Sequence, residues 1–156
     1  MNLWQTHQET LIAACYQTSG PIIELGTGDG STPLLHSTFP ERLIISVDTK
    51  IEWLQKFFYL ASQRHFFMLV KDFTHFELPV QHAGVLFIDS APAEQRPMCI
   101  NRFASMADLI VVHDTELPDP GYCWGNCFDQ FKHVWIDKRY ENWTTVVSQS
   151  QPFKLQ

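Results

Sequence analysis

The sequence has no apolar run approaching the ~20 residues that a membrane-spanning helix needs. Its opening, MNLWQTHQETLIAACYQ, also lacks the basic start and long apolar centre of a secretory signal. A soluble, cytoplasmic protein is therefore expected. Positive charge is sparse: 11 Lys and Arg stand against 17 Asp and Glu, a formal net charge of -6. Basic residues fall only in short patches such as Lys138-Arg139. Because binding to a phosphate backbone needs clustered cations, this balance argues against a nucleic-acid surface. Cysteine is limited to Cys15, Cys99, Cys123 and Cys127, spaced for neither a disulfide framework nor a four-ligand zinc site. The pair in GYCWGNCF has no second pair to match it, so free thiols are expected. Glycine is scarce too, with 7 in 156 residues, yet three of them alternate within one short loop.

What the sequence does contain is a series of short apolar runs. PIIEL, RLIISVD, FFMLVKD, GVLFID and DLIVVHD predict five buried strands. Between them lie a helix from Leu3 to about Gln17, a second over STPLLHSTF with Pro33 in its first turn, and a third starting at Thr49, whose spacing to Glu52 suits a capping box. FTHFELPVQH leaves room for only a turn of helix, and a further helix is expected within Ala93–Met106, with Pro97 in its first turn or kinking it. Strands alternating with crossovers give a doubly wound, mostly parallel α/β sheet with ligands at the strand carboxyl ends. FKHVWID and WTTVVSQ, only a few residues apart, should pair as an antiparallel hairpin. The expectation is one α/β domain over residues 1–156, Rossmann-like, with seven strands.

The three glycines sit in IIELGTGDGSTP, directly after the first strand and before a helix. Asp48 follows Gly26 by 22 residues and ends the second strand, where a carboxylate can accept both hydroxyls of a ribose. The helix beginning near Ser31 turns its free N–H groups toward the same crevice, which suits a ligand carboxylate. A nucleoside ligand explains this context better than a plain tight turn. A dinucleotide fingerprint wants its third glycine where Ser31 stands and has no need of an acid at Glu24, so an NAD-dependent oxidoreductase is disfavoured.

The order Glu24-x-Gly26-x-Gly28-x-Gly30 resembles the first motif of the class I S-adenosylmethionine-dependent methyltransferases. Asp48, Asp72 and the terminal hairpin stand where that family has acids after its second and third strands and a final hairpin. GDGSTPLL, VLFIDSAP and LIVVHDTE are similar to a group of small-molecule O-methyltransferases whose fourth strand ends Phe-Ile-Asp and whose fifth ends His-Asp-Thr. The resemblance implies that Gly26, Gly28 and Gly30 let the cofactor pass, that Glu24 fixes the loop and faces the cofactor's amino group, and that Ser31 and Thr32 meet its carboxylate. It further implies that Asp48 holds the ribose, that Asp72 accepts from the adenine amino group, and that Phe73 packs near the ring.

At the catalytic end, Asp89 and Asp114 close what should be neighbouring strands, ~4.8 Å apart. With Thr115 or Glu116 they could hold Mg²⁺, whose oxygen preference they match, as related O-methyltransferases do. In the alternative, Asp89 lines the methionine pocket and Asp114 only caps its strand. His113 is the general-base candidate, although alternation would turn it away from the face of Asp114. Arg96 is expected to pair on the surface rather than to bind an acidic acceptor. The other histidines, His7 among them, lack ligand spacing and are taken as structural. RFASMAD stands where the family often has a Pro-Gly-Gly turn, which weakens the alignment there. The only substantial loop on the ligand side, TELPDPGYCWGNCFDQ, offers Tyr122 and Trp124 as a lid or as packing. A site so little covered implies a large acceptor, a second copy completing it, or no catalysis. The expected function is O-methylation of a small molecule, against a non-catalytic nucleoside-binding partner or sensor.

Overall fold

The computed structural model describes residues 5–116 and 121–155. Its seven strands are β1 (Ile22–Leu25), β2 (Ile44–Asp48), β3 (His65–Leu69), β4 (Ala83–Ile88), β5 (Ala107–His113), β6 (His133–Asp137) and β7 (Thr144–Ser148). They form one sheet in the order β3-β2-β1-β4-β5-β7-β6. The first five are parallel, while β7 runs antiparallel to both β5 and β6. This is the Rossmann-like arrangement expected, with the antiparallel hairpin at its end.

Burial explains why the strands read as unbroken apolar runs. In β1, β2, β4 and β7 every residue is buried, because both sheet faces are covered. Alternate residues serve opposite faces. Ile23, Leu25, Val47, Leu86, Ile88, Ile110 and Val112 join one core with Cys99, Ile100 and Phe103 of α4 (Arg96–Phe103). Ile22, Ile44, Val85, Phe87, Leu109 and Val111 join the other with Leu11, Ala14 and Cys15 of α1 (Gln8–Tyr16) and Leu35 of α2 (Thr32–Thr38). The edge strands β3 and β6 are only partly covered, and β6 alternates in exposure as a half-solvated strand should.

Several local expectations shift. Helix α1 begins at Gln8, and residues 3–4 of the longer helix expected lie outside the described residues. No capping box forms at α3 (Ile51–Phe57): its N-cap is Lys50, and the Asp48 carboxylate takes the Lys50 N–H at 3.0 Å instead. No helix forms between β3 and β4. Phe73, Phe76 and Leu78 from that connection cover the sheet directly, joined by Trp124, Cys127 and Phe131 from the segment after β5. Large aromatic side chains thus do what helices do on the other face. Pro33 and Pro97 sit in the first turns of α2 and α4, and the four cysteines are free thiols. No helix among the described residues is long and apolar enough to cross a membrane.

Candidate active site

The strand order reverses between β1 and β4, so the connections leave in opposite directions and open a crevice at their carboxyl ends. A cleft of about 650 Å³ lies there. One side is built by the glycine loop, with Gly26 to Ser31, together with Asp48, Lys50 and Trp53. The other side is built by Asp89, Ser90, Ala91, Arg96, His113, Asp114 and Tyr122, with His7 reaching in from the segment before α1.

The loop side is a closed hydrogen-bonded unit. Gly26 has φ +93°, and a Cβ there would stand 2.5 Å from the Asp89 carbonyl oxygen, so only glycine lets the loop pass this close to the end of β4. At Gly28 a Cβ would meet nothing nearer than Ser31 Oγ at 3.7 Å; the space above it is open cleft. Asp48 Oδ2 accepts from Thr27 N and Thr27 Oγ1 at 2.9 and 3.0 Å, which ties β2 to the loop while the carboxylate still lines the cleft. Glu24 lies behind the loop, wholly buried. Ser31 Oγ and Ser46 Oγ each donate to it at 2.5 Å, and Thr32 Oγ1 donates at 3.0 Å. Burial pushes the Glu24 carboxyl up to about 7, although those three hydroxyls hold it lower than burial alone would. Ser46 also meets His65 Nε2 at 2.9 Å, and His65 meets His36 at 3.1 Å, so the chain of contacts runs from Glu24 to the α2 surface.

Several of the residues expected at the cofactor are placed as follows. Glu24 acts inside the fold and does not line the cleft. The Ser31 and Thr32 hydroxyls point back to Glu24 rather than to a ligand carboxylate. Asp72 lies off the cleft lining, with Oδ1 accepting from Thr74 N, Thr74 Oγ1 and His75 N, and these bonds, the Thr74 hydroxyl first, draw its pKa down to about 2. Phe73 is fully buried core, its N–H donating to Gln95 Oε1.

The opposite side brings together charges from distant parts of the chain. Arg96, expected on the surface, is buried at the centre of the floor. Its Nε donates to the Ser90 carbonyl at 2.7 Å, one terminal nitrogen donates to the His113 carbonyl at 3.0 Å, and the other meets Asp89 Oδ1 at 3.0 Å. Asp114 Oδ2 lies 3.4 Å from the same guanidinium, which also stacks on the Tyr122 ring. Asp114 adopts φ +58°, a left-handed conformation that interrupts strand alternation, so His113 and Asp114 both line the cleft. Asp114 further accepts from Tyr122 OH at 3.0 Å and Asn142 Nδ2 at 2.7 Å. Thr115 Oγ1 is paired with Thr145 Oγ1 at 2.7 Å, and Thr115 is absent from the cleft lining. The Asp89, Asp114 and Thr115 set expected for Mg²⁺ therefore does not assemble, since Thr115 is turned into the β5–β7 packing and Asp114 is already engaged.

Burial alone would lower the His113 pKa, but Asp89 and then Asp114, each 3.4 Å from Nδ1, outweigh it and raise it. Burial opposes the charge on Asp89 in the same way, and His113 with Arg96 overcomes that and lowers its pKa. A raised pKa makes His113 a poor general base in the free protein. His7 is the reverse case: burial and the nearby His113 lower it to about 4. The His7 ring lies 4.6 Å from that of His113, and neither His7 nitrogen makes a well-formed hydrogen bond among the described residues. Nothing in the sequence spacing marks His7, which reaches the cleft only through tertiary packing. Of the lid candidates, Tyr122 lines the cleft and Trp124 is core, while residues 117–120 of that loop lie outside the described residues.

Neither a protein-family model nor a curated protein sequence matches the chain. Solved structures do. The O-methyltransferase TomG from Streptomyces achromogenes, in complex with SAM, superposes over 96% of this chain and 82% of its own, with TM-score 0.68 and 14% identity. Human methyltransferase-like protein 13, in complex with SAH, covers 91% and 81%, with TM-score 0.64 and 16% identity. An rRNA methylase from Streptococcus thermophilus covers 91% and 95%, with TM-score 0.63 and 10% identity. The chain shares their fold. That fold is common to proteins acting on different classes of acceptor, so the fold alone assigns no activity.

Proposed function

We propose that the chain binds S-adenosylmethionine in this cleft and transfers its methyl group to an oxygen of a small molecule. The observation that carries the reading is the loop side: Gly26 pressed against the end of β4, open space over Gly28, and the Asp48 carboxylate beside them, all at the switch point of a sheet shared with SAM- and SAH-bound methyltransferases. The residues fit such a ligand. Asp48 would hold the ribose hydroxyls, and Trp53, Ala91 and Ala93 give flat apolar walls that suit a purine. Gly26, Gly28 and Gly30 would carry the backbone beneath the methionyl part. Bound there, the cofactor would supply an electrophilic methyl on a sulfonium.

The floor residues would act on the acceptor. Methyl transfer is an in-line displacement in which alignment supplies much of the rate. Arg96 and the charged His113 would hold a polar acceptor through donated hydrogen bonds. The neutral imidazole of His7 would accept its hydroxyl proton, the role expected of His113. A small-molecule acceptor is favoured over nucleic acid by the net charge of -6 and by the acids on the cleft floor. The test is transfer of label from S-adenosylmethionine to a panel of small hydroxylated acceptors and to RNA. Transfer to the former supports the reading, transfer to RNA overturns the acceptor class, and binding without transfer favours a non-catalytic sensor.

A further inference from the structure

We propose that His7, His113 and Asp89 form a binding site for a divalent first-row transition-metal ion on the floor of the cleft. Each residue offers one donor atom, and the three atoms lie within 4.8 Å of one another. His113 Nδ1 and Asp89 Oδ2 are 3.4 Å apart, close to the ~3.4 Å separating two ligands that each stand 2.0–2.1 Å from a tetrahedral ion. His7 completes the set by a side-chain adjustment.

The hydrogen bonds around His113 are those of a metal ligand. Thr6 Oγ1 lies 2.9 Å from His113 Nε2 and 3.2 Å from the Asn142 carbonyl, so with its hydrogen on the carbonyl it accepts from His113 Nε2–H. That places a proton on Nε2 and directs Nδ1 at Asp89 and Asp114. Metal-bound imidazoles are oriented in this way, by donating their outer N–H. In the neutral ring, the Nδ1 lone pair would face two carboxylates, an arrangement that needs a cation between them. Arg96 supplies one positive charge against the two acids, which leaves one negative charge for a proton or a metal ion to balance. Arg96 also fixes Asp89 through Oδ1 and leaves Oδ2 directed at His113.

The independent observation is His7. It is 1% exposed, it lines the cleft, and neither ring nitrogen makes a well-formed hydrogen bond among the described residues, its one backbone contact being a weak one with Gly30. The neighbouring Gly30 carbonyl takes its hydrogen bond from Gln8 Nε2. Buried imidazole nitrogens are ordinarily satisfied, and a ligand in the cleft would satisfy this one. Two imidazoles and one carboxylate suit Zn²⁺, Fe²⁺ or Co²⁺, whereas Mg²⁺ requires an oxygen shell that these residues do not provide. The remaining coordination positions face the cleft, open to an oxygen or nitrogen of a bound small molecule. In the metal-loaded protein, the ion would replace His7 as the group that removes an acceptor's proton, by acidifying a bound hydroxyl.

The site does not depend on the methyl-transfer reading, and the experiment separates them. The metal-stripped full chain is titrated with Co²⁺, followed by ligand-field absorption, and with Zn²⁺ by calorimetry, both without nucleoside. Binding should saturate at one ion per chain. His7→Ala and Asp89→Asn should each weaken it at least about tenfold, while His36→Ala leaves it unchanged. No binding, or binding that survives both cleft variants, overturns the proposal. If the variants do not fold, histidine-ring NMR of the wild-type chain with Zn²⁺ decides. Shifts at His7 and His113 support the site, and shifts confined to other histidines overturn it. A chain that binds metal but not S-adenosylhomocysteine keeps the metal site and loses the methyltransferase reading. The converse result removes the metal site alone.

Discussion

The two sides of the cleft solve opposite problems. On the glycine-loop side, the polar groups satisfy one another: Ser31, Thr32 and Ser46 serve Glu24, and Thr27 serves Asp48. On the floor, two acids share one arginine, His113 sits between both acids, and His7 is left without a well-formed hydrogen bond among the described residues. A self-satisfied network makes a rigid cradle whose shape is set before a ligand arrives. An under-satisfied one keeps its hydrogen-bonding capacity for whatever enters. On the proposed reading, the difference assigns binding geometry to the β1–β2 side and chemistry to the β4–β5 side.

Substitutions can break this contrast. The largest effect is expected at Gly26, where alanine would combine φ +93° with a 2.5 Å clash against β4 backbone. Gly26→Ala should cost roughly 4 kcal/mol in urea unfolding, if the protein folds at all. A mild effect would mean that the loop is not rigid. The next effect belongs to Glu24. Its folded pKa of about 7 lies above the ordinary 4.5, so the folded state keeps a proton that the unfolded chain releases. Glu24's contribution to stability should therefore be fully present below pH 4.5, fall as pH rises to 7 and be flat beyond, a change of roughly 3 kcal/mol. The buried His7 and His65, each lowered to about 4, act in the other direction and lose stability as pH falls below 6.5. Wild type minus Glu24→Gln, measured by unfolding across this range, isolates the carboxylate slope. Parallel curves would contradict the assigned burial.

Arg96→Met tests the floor. It leaves Asp89 and Asp114 without their shared cation, and because the cleft wets them partly, the expected loss is about 2 kcal/mol by thermal unfolding. No loss would mean that the acids are solvated independently. The smallest effect is expected at Gly28. Gly28→Ala should cost less than about 1 kcal/mol of stability, with its consequence confined to S-adenosylhomocysteine affinity, because its Cβ would project into open cleft.

The legible and illegible parts of the sequence divide along the same line. The strands and the hairpin follow from short apolar runs and connection lengths, and both-face burial is written into unbroken runs such as GVLFID. The glycine loop and Asp48 are close in sequence to the elements that place them, so local pattern suffices. The burial of Arg96 and the placement of His7 at the cleft escape local pattern for a common reason. Arg96 is enclosed by Asp89 and Ser90 after β4 together with His113 and Asp114, 17 and 18 residues away, and His7 packs on Phe87 and His113; a single arginine or histidine carries no periodicity that reveals such a setting. Thr115 and Asp114 fail as an oxygen-donor pair because Thr115 turns to Thr145 of β7 while the Asp114 carboxylate is engaged by Arg96, Tyr122 and Asn142, contacts that a one-dimensional pattern does not contain. Asp72 stands where the resemblance expects it, yet it lies off the cleft lining and its Oδ1 is taken by the adjacent Thr74 and His75.

The most direct test of the account is calorimetric titration of the full chain and of Asp48→Ala with S-adenosylhomocysteine. The account predicts one site per chain in the wild type and a loss of about tenfold to a hundredfold in the variant, the worth of a charge-assisted pair of hydrogen bonds. No binding by the wild type, or equal binding by the two proteins, would contradict it.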